Sequence, residues 1–156
     1  MKSNKKYHFV FKFAFLIVGL LTWTIPIFSW IAPNYTEISG EIGSTDFVTT
    51  IIIGLIGLVF ILLFFAVKDK FAIVELGNQN VKIINGDEEK SVGWFDIDSL
   101  KQIQFVFPPL YSLKIKDSDE TIWFNTEARF ISINGFTIDT SDMGELIKKK
   151  KRELGI

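Results

Sequence analysis

The chain has 156 residues, no cysteine and a formal net charge of −1, with 48% hydrophobic and 22% charged residues. That length holds about one domain, and the absence of cysteine excludes disulfides, thiolate metal sites and cysteine nucleophiles. The near-zero net charge hides a segregated distribution, because the charged residues leave two long gaps.

Residues 1–12 read as a cytoplasmic basic N-terminus carrying Lys2, Lys5, Lys6 and Lys12. His8, the single histidine, lies in this segment and reads as a solvated or interfacial side chain rather than a catalytic one. Residues 13–36 form a stretch of 24 without Asp, Glu, Lys or Arg, and residues 47–67 a second stretch of 21. At about 1.5 Å of rise per residue, ~20 helical residues cross a ~30 Å hydrocarbon core. Transmembrane helices are therefore predicted over 13–33 and 47–67. The first apolar run, Phe9–Phe28, exceeds the ~7–15 residues of a signal-peptide core, and no small-x-small cleavage pattern follows it, so it reads as uncleaved. Pro26 removes a backbone donor and is expected to bend this helix.

The segment 34–46 holds Glu37, Glu41 and Asp46 but no Lys or Arg, whereas Lys68 and Lys70 follow the second helix at once. All flanking Lys residues thus fall on one side, which predicts a multi-pass inner (cytoplasmic) membrane protein with both termini cytoplasmic and 34–46 as an external loop. Trp30 suits the outer interface. Asn34-Tyr35-Thr36 has the form of a glycosylation sequon, a short pattern common by chance. Thr50, Gly54 and Gly57 form a candidate helix-packing face, since small residues let backbones approach closely in lipid. It fits either a contact with a homodimer mate or another membrane protein, or packing against Gly19 and Thr22 of the first helix, the preferred reading. Neither helix interior holds an ionisable residue, which argues against an ion or proton pathway.

From residue 68 to 156 the pattern changes to alternation. Tyr111-Ser-Leu113-Lys-Ile115-Lys is a period-two strand with one polar face. Phe71–Leu76, Val81–Ile84, Ser91–Phe95, Lys101–Phe107 and Thr121–Phe124 also read as strands, on their branched and aromatic content. Turn signals at Gly77-Asn78, Asn85-Gly86-Asp87, Pro108-Pro109 and Asp117-Ser118-Asp119 separate them. Asn134-Gly135 between Phe130–Ile133 and Phe136–Ile138 signals a hairpin or a looser loop. Ser141 can cap a final helix with Asp142 and Glu145 in its first turn and cations in its last. About seven short antiparallel strands closed by a C-terminal helix have the layout of a small barrel or sandwich of pleckstrin-homology type.

The run Ser91-Val-Gly-Trp-Phe-Asp-Ile-Asp-Ser-Leu-Lys-Gln-Ile resembles a strand exit common in bacterial pleckstrin-homology-like (PH-like) domains, through Trp94, Asp96, Ile97, Leu100 and Ile103. The resemblance covers roughly Phe71–Leu154 and departs in having Pro108-Pro109 between two central strands. It implies an α+β membrane protein in which a two-helix transmembrane hairpin precedes a PH-like domain; it carries no binding site onto this chain.

No residue constellation names a reaction, so no enzymatic activity and no cofactor is expected. The acidic clusters at Asp87-Glu88-Glu89 and Asp117–Glu120 sit at turns, where solvated carboxylates are normal. Lys148, Lys149, Lys150, Lys151 and Arg152 are the candidate headgroup contact, because a juxtamembrane cation gains about 1 kcal/mol beside an anionic leaflet. The other reading of this run is a solvated helix end. The expected partners are the lipid bilayer and a second membrane protein or copy, and no nucleic acid. Two functions fit these features: a membrane-tethered binding or scaffolding module for a protein or for lipid headgroups, and an accessory subunit assembled through its helices into a larger membrane complex.

Overall fold

Asn4 starts the first long helix. Its Oδ1 accepts hydrogen bonds from the backbone N–H groups of Lys6 (3.0 Å) and Tyr7 (3.3 Å), donors that no helical carbonyl reaches. Helix α1 spans Lys5–Ile31 with Pro26 inside it, and helix α2 spans Phe47–Val67, the bounds of the second charge gap. The start of α1 lies before the expected residue 13 because the Asn4 cap, not the last lysine, sets it. The computed structural model describes residues 1–31 and 47–155; the expected external loop and its sequon fall outside the described residues. Both helices are long and apolar enough to cross a membrane.

The chain divides into two compact units, one of Phe11–Lys68 and one joining Met1–Val10 to Asp69–Ile156. The first residues therefore cluster with the β-rich unit. In the helical unit α1 and α2 run antiparallel, with Phe13 stacked on Phe64 (5.7 Å between centroids) and Phe15 on Phe60 (6.4 Å). Gly19 and Gly57 are buried where the two backbones meet. A Cβ at Gly57 would stand 2.4 Å from the Trp23 ring and 3.1 Å from the Gly19 carbonyl, so glycine is required there.

The second unit is α+β. Strands β1 (Ile73–Leu76), β2 (Asn80–Asn85) and β3 (Glu88–Gly93) form one antiparallel sheet. Strands β4 (Ile97–Ile103), β5 (Leu110–Ile115) and β6 (Thr121–Asn125) form a second, and β7 (Phe130–Ile133) with β8 (Phe136–Asp139) a two-stranded hairpin. Asn134 and Gly135 both have positive φ (51° and 84°), the mirror-image turn that an Asn-Gly pair favours. Helix α3, Asp142–Leu154, begins at Ser141, whose Oγ accepts from the Gly144 N–H, and ends at left-handed Gly155.

Eight strands are thus described where about seven were expected, and β4 starts at Ile97 rather than Lys101. A register shift between Ile97 and Ser99 breaks the alternation there, which displaces the apparent start of the strand. Trp94–Asp96, expected at a strand end, is a 3-10 turn held by Asp96 Oδ2 accepting from the Gly93 N–H.

One hydrophobic core gathers side chains from both three-stranded sheets and α3, among them Val74, Val81, Leu100, Leu113, Phe124 and Ile147. Trp94, Ile97, Leu113 and Ile115 are buried, and Trp123 is half-buried, edge-on to Phe71 and beneath the Lys70 ammonium. Leu146 lies at the rim of this core. Met143 and Ile147, four residues apart on one helical face, are the buried pair, and Leu146 flanks them. Ile147→Ala should therefore cost about 2–5 kcal/mol, and Leu146→Ala clearly less, in thermal unfolding of the full chain in detergent. Equal losses would contradict this docking of α3.

Candidate functional site

The first described residues form an extended strap on the free edge of β1. The Met1 ammonium donates to the Leu76 carbonyl (2.8 Å), and the Leu76 N–H donates to the Met1 carbonyl (2.7 Å). Ser3 repeats the pattern one pair along. Its N–H donates to the Val74 carbonyl (2.8 Å), and its Oγ accepts from the Val74 N–H (2.9 Å). Lys2 lies opposite Glu75 and pairs with its carboxylate. That hydrogen bond, against a smaller desolvation effect, holds the Glu75 carboxyl below its usual range. The Asn4 N–H then reaches the Asn125 carbonyl of β6 (3.3 Å) before α1 begins. Backbone donors and acceptors that an edge strand would leave open are thus used within the chain.

A second node lies beneath the β7–β8 hairpin. Asp139 is fully buried at the end of β8. Its Oδ2 accepts from Thr126 Oγ1 (2.6 Å) and the Tyr111 hydroxyl (3.1 Å), and its Oδ1 accepts from the Ser141 N–H (2.8 Å). The helix N-terminus beyond Ser141 favours negative charge at this point. Burial, reinforced by the Asp139 charge, drives the Tyr111 phenol well above its ordinary 10.0, so it remains a donor. Composition offered no signal for this node, since its members are far apart in sequence and each is unremarkable alone. Every group in it faces a partner inside the fold, which makes it a structural joint between β5, β8 and α3.

The basic run on α3 is partly neutralised. Lys148 bonds Glu145 (2.8 Å) and the Asp139 carbonyl (2.7 Å), while Lys150 (2.8 Å) and Lys149 (3.9 Å) both reach Glu153. Hydrogen bonds from Lys148 and Lys150 hold Glu145 and Glu153 below the usual carboxylate range. Arg152 Nε donates to the Lys148 carbonyl, and Lys151 is half-buried. The five cations therefore share one helix end but do not act as five free charges.

Of the candidate packing face, Gly57 sits at the crossing with α1, Gly54 has no neighbouring atom where a Cβ would stand, and Thr50 is half-buried. The acidic turn at Asp117–Glu120 borders a shallow cleft of about 260 Å³ that Asp98 and Lys114 also line. Glu120 turns away to pair with Lys90 (3.0 Å), and no group of three metal-ligating side chains forms among the described residues.

Comparison of the chain with family models, curated proteins and solved structures returns no match. The geometry of the Asp139 node generates a sharp expectation. A Cβ at Gly144 would lie 2.4 Å from the Asp139 carboxyl carbon, so Gly144→Ala should destabilise by about 1–3 kcal/mol through overpacking. Unfolding midpoints of the full-length variant test this, and an unchanged midpoint would mean that the α3 N-terminus does not press on Asp139.

Proposed function

We propose that this chain is a membrane-tethered binding or scaffolding module. Its two long helices cross the inner membrane as a hairpin, and a PH-like domain stands with both termini on the cytoplasmic face. The observation that carries this reading is the strap. Met1–Asn4 and the chain after α2 belong to one compact unit, so a crossing by α1 must be undone by a crossing of α2. The charge pattern supports the same arrangement, with Lys on the domain side and only acids in residues 34–46.

A domain joined to the helical unit by two chain connections serves binding close to the membrane better than long reach. The run Lys148–Arg152 contributes mainly through Lys151 and Arg152, because Glu145 and Glu153 occupy the others. Gly54 supports the second reading, an accessory subunit, since open space in front of it leaves room for another membrane helix.

Because the chain has no cysteine, single replacements report topology directly. Glu41→Cys should react with a membrane-impermeant maleimide in intact cells, and Asp87→Cys only after lysis. The reverse pattern, or equal labelling of both, would contradict the membrane hairpin.

A further inference from the structure

The hairpin β7–β8 is built with its polarity reversed. In a soluble domain the outward face of such a hairpin is polar and the inward face apolar. Here β8 buries Thr137 and Asp139 and turns Phe136 and Ile138 outward. On β7, Ile131 and Ile133 lie opposite Ile138 and Phe136, so the four side chains share the outer face.

The chain between β4 and β5 extends this face. The Phe105 ring lies 5.1 Å from that of the outward Phe136, whereas Phe107 lies 5.8 Å from Phe130, which pairs with Asp139 and so stands on the other side of β7. The segment is fastened there, with Gln102 Nε2 donating to the Thr137 carbonyl (2.7 Å) and the Thr137 N–H donating to Gln104 Oε1 (3.1 Å). The four hairpin side chains with Phe105 are 44–65% exposed and form one apolar face rather than scattered residues. Neither contributing segment carries an Asp, Glu, Lys or Arg, from residue 102 to 113 or from 130 to 138.

We propose that this face seats in the boundary between headgroups and acyl chains of a lipid bilayer. The inference rests on the membrane reading given above. Apolar-out, polar-in alternation is the pattern of lipid-facing strands, and a face free of charge complements hydrocarbon rather than a charged protein rim. The Asp139 node beneath it satisfies the inward polar groups, so the reversal costs the fold no unpaired carboxylate. The tether supplies the partner. Only five residues separate Val67 at the end of α2 from Ile73 at the start of β1, a reach of at most about 20 Å.

The test uses the full chain in nanodiscs of phosphatidylcholine and phosphatidylglycerol. Single cysteines at Ile133, Leu21 or Glu88 carry an environment-sensitive fluorophore, and lipids brominated in the upper acyl chain act as quenchers. The expected result is loss of emission at positions 133 and 21 but not at 88, with the loss at 133 reversed by Ile131→Ser combined with Ile138→Ser. Quenching at 21 without quenching at 133 overturns this proposal and leaves the membrane anchor standing. No quenching at 21 refutes the anchor and this proposal with it. Energy transfer between labels at 133 on two copies, without quenching by lipid, would assign the face to a second copy and equally overturn the proposal.

Discussion

The pairing of Met1–Ser3 with the edge of β1 is the constraint on which the rest depends. Met1 and Ser3 each make two hydrogen bonds with β1, one of them through Ser3 Oγ, and bring the start of α1 to the unit that follows α2. Net backbone hydrogen bonds are worth about 0.5–1.5 kcal/mol each, so the strap is a modest but cooperative clamp. Its larger consequence is topological, because the chain leaves the β-rich unit at α1 and returns to it after α2. Any membrane crossed once must then be crossed back. The Lys2–Glu75 pair is exposed and adds register more than stability.

The β-rich unit is organised around two unlike interiors. One is the apolar core beneath both sheets and α3. The other is polar, where Asp139 joins Tyr111, Thr126 and the first turn of α3. The second permits what the first does not: a β8 whose inward residues are hydroxyl and carboxylate and whose outward residues are phenylalanine and isoleucine. A buried carboxylate with three donors costs far less than an unpaired one, and the joint also fixes where α3 begins. Gly144 belongs to that joint because no side chain fits between the helix and the Asp139 carboxylate.

Much of this architecture was legible in the residues. The gap from 47 to 67 has the bounds of α2, the Asn134-Gly135 turn closes a hairpin as expected, and Ser141 caps α3. These are local signals, set by hydropathy, backbone dihedrals or a side chain within three residues. What the sequence concealed is long-range. Nothing in Met-Lys-Ser-Asn announces a strand, since its partner lies more than 70 residues away. The Asp139 node likewise depends on Tyr111 and Thr126, 28 and 13 positions distant. A register shift after Ile97 hid the start of β4, and helix phase decided for Ile147 over Leu146. The five cations of α3 were plain to read, but their pairing with Glu145 and Glu153 needed side-chain geometry.

Whether the segment before α1 is a structural part of the domain after α2 in the membrane is tested by one cross-link. Lys2→Cys and Glu75→Cys are combined in the full chain, with a protease site inserted in residues 34–46, and native membranes are oxidised and then cut. The two halves should migrate together until a reductant is added. Halves that separate without reductant, although each single variant is expressed and folded, would contradict it.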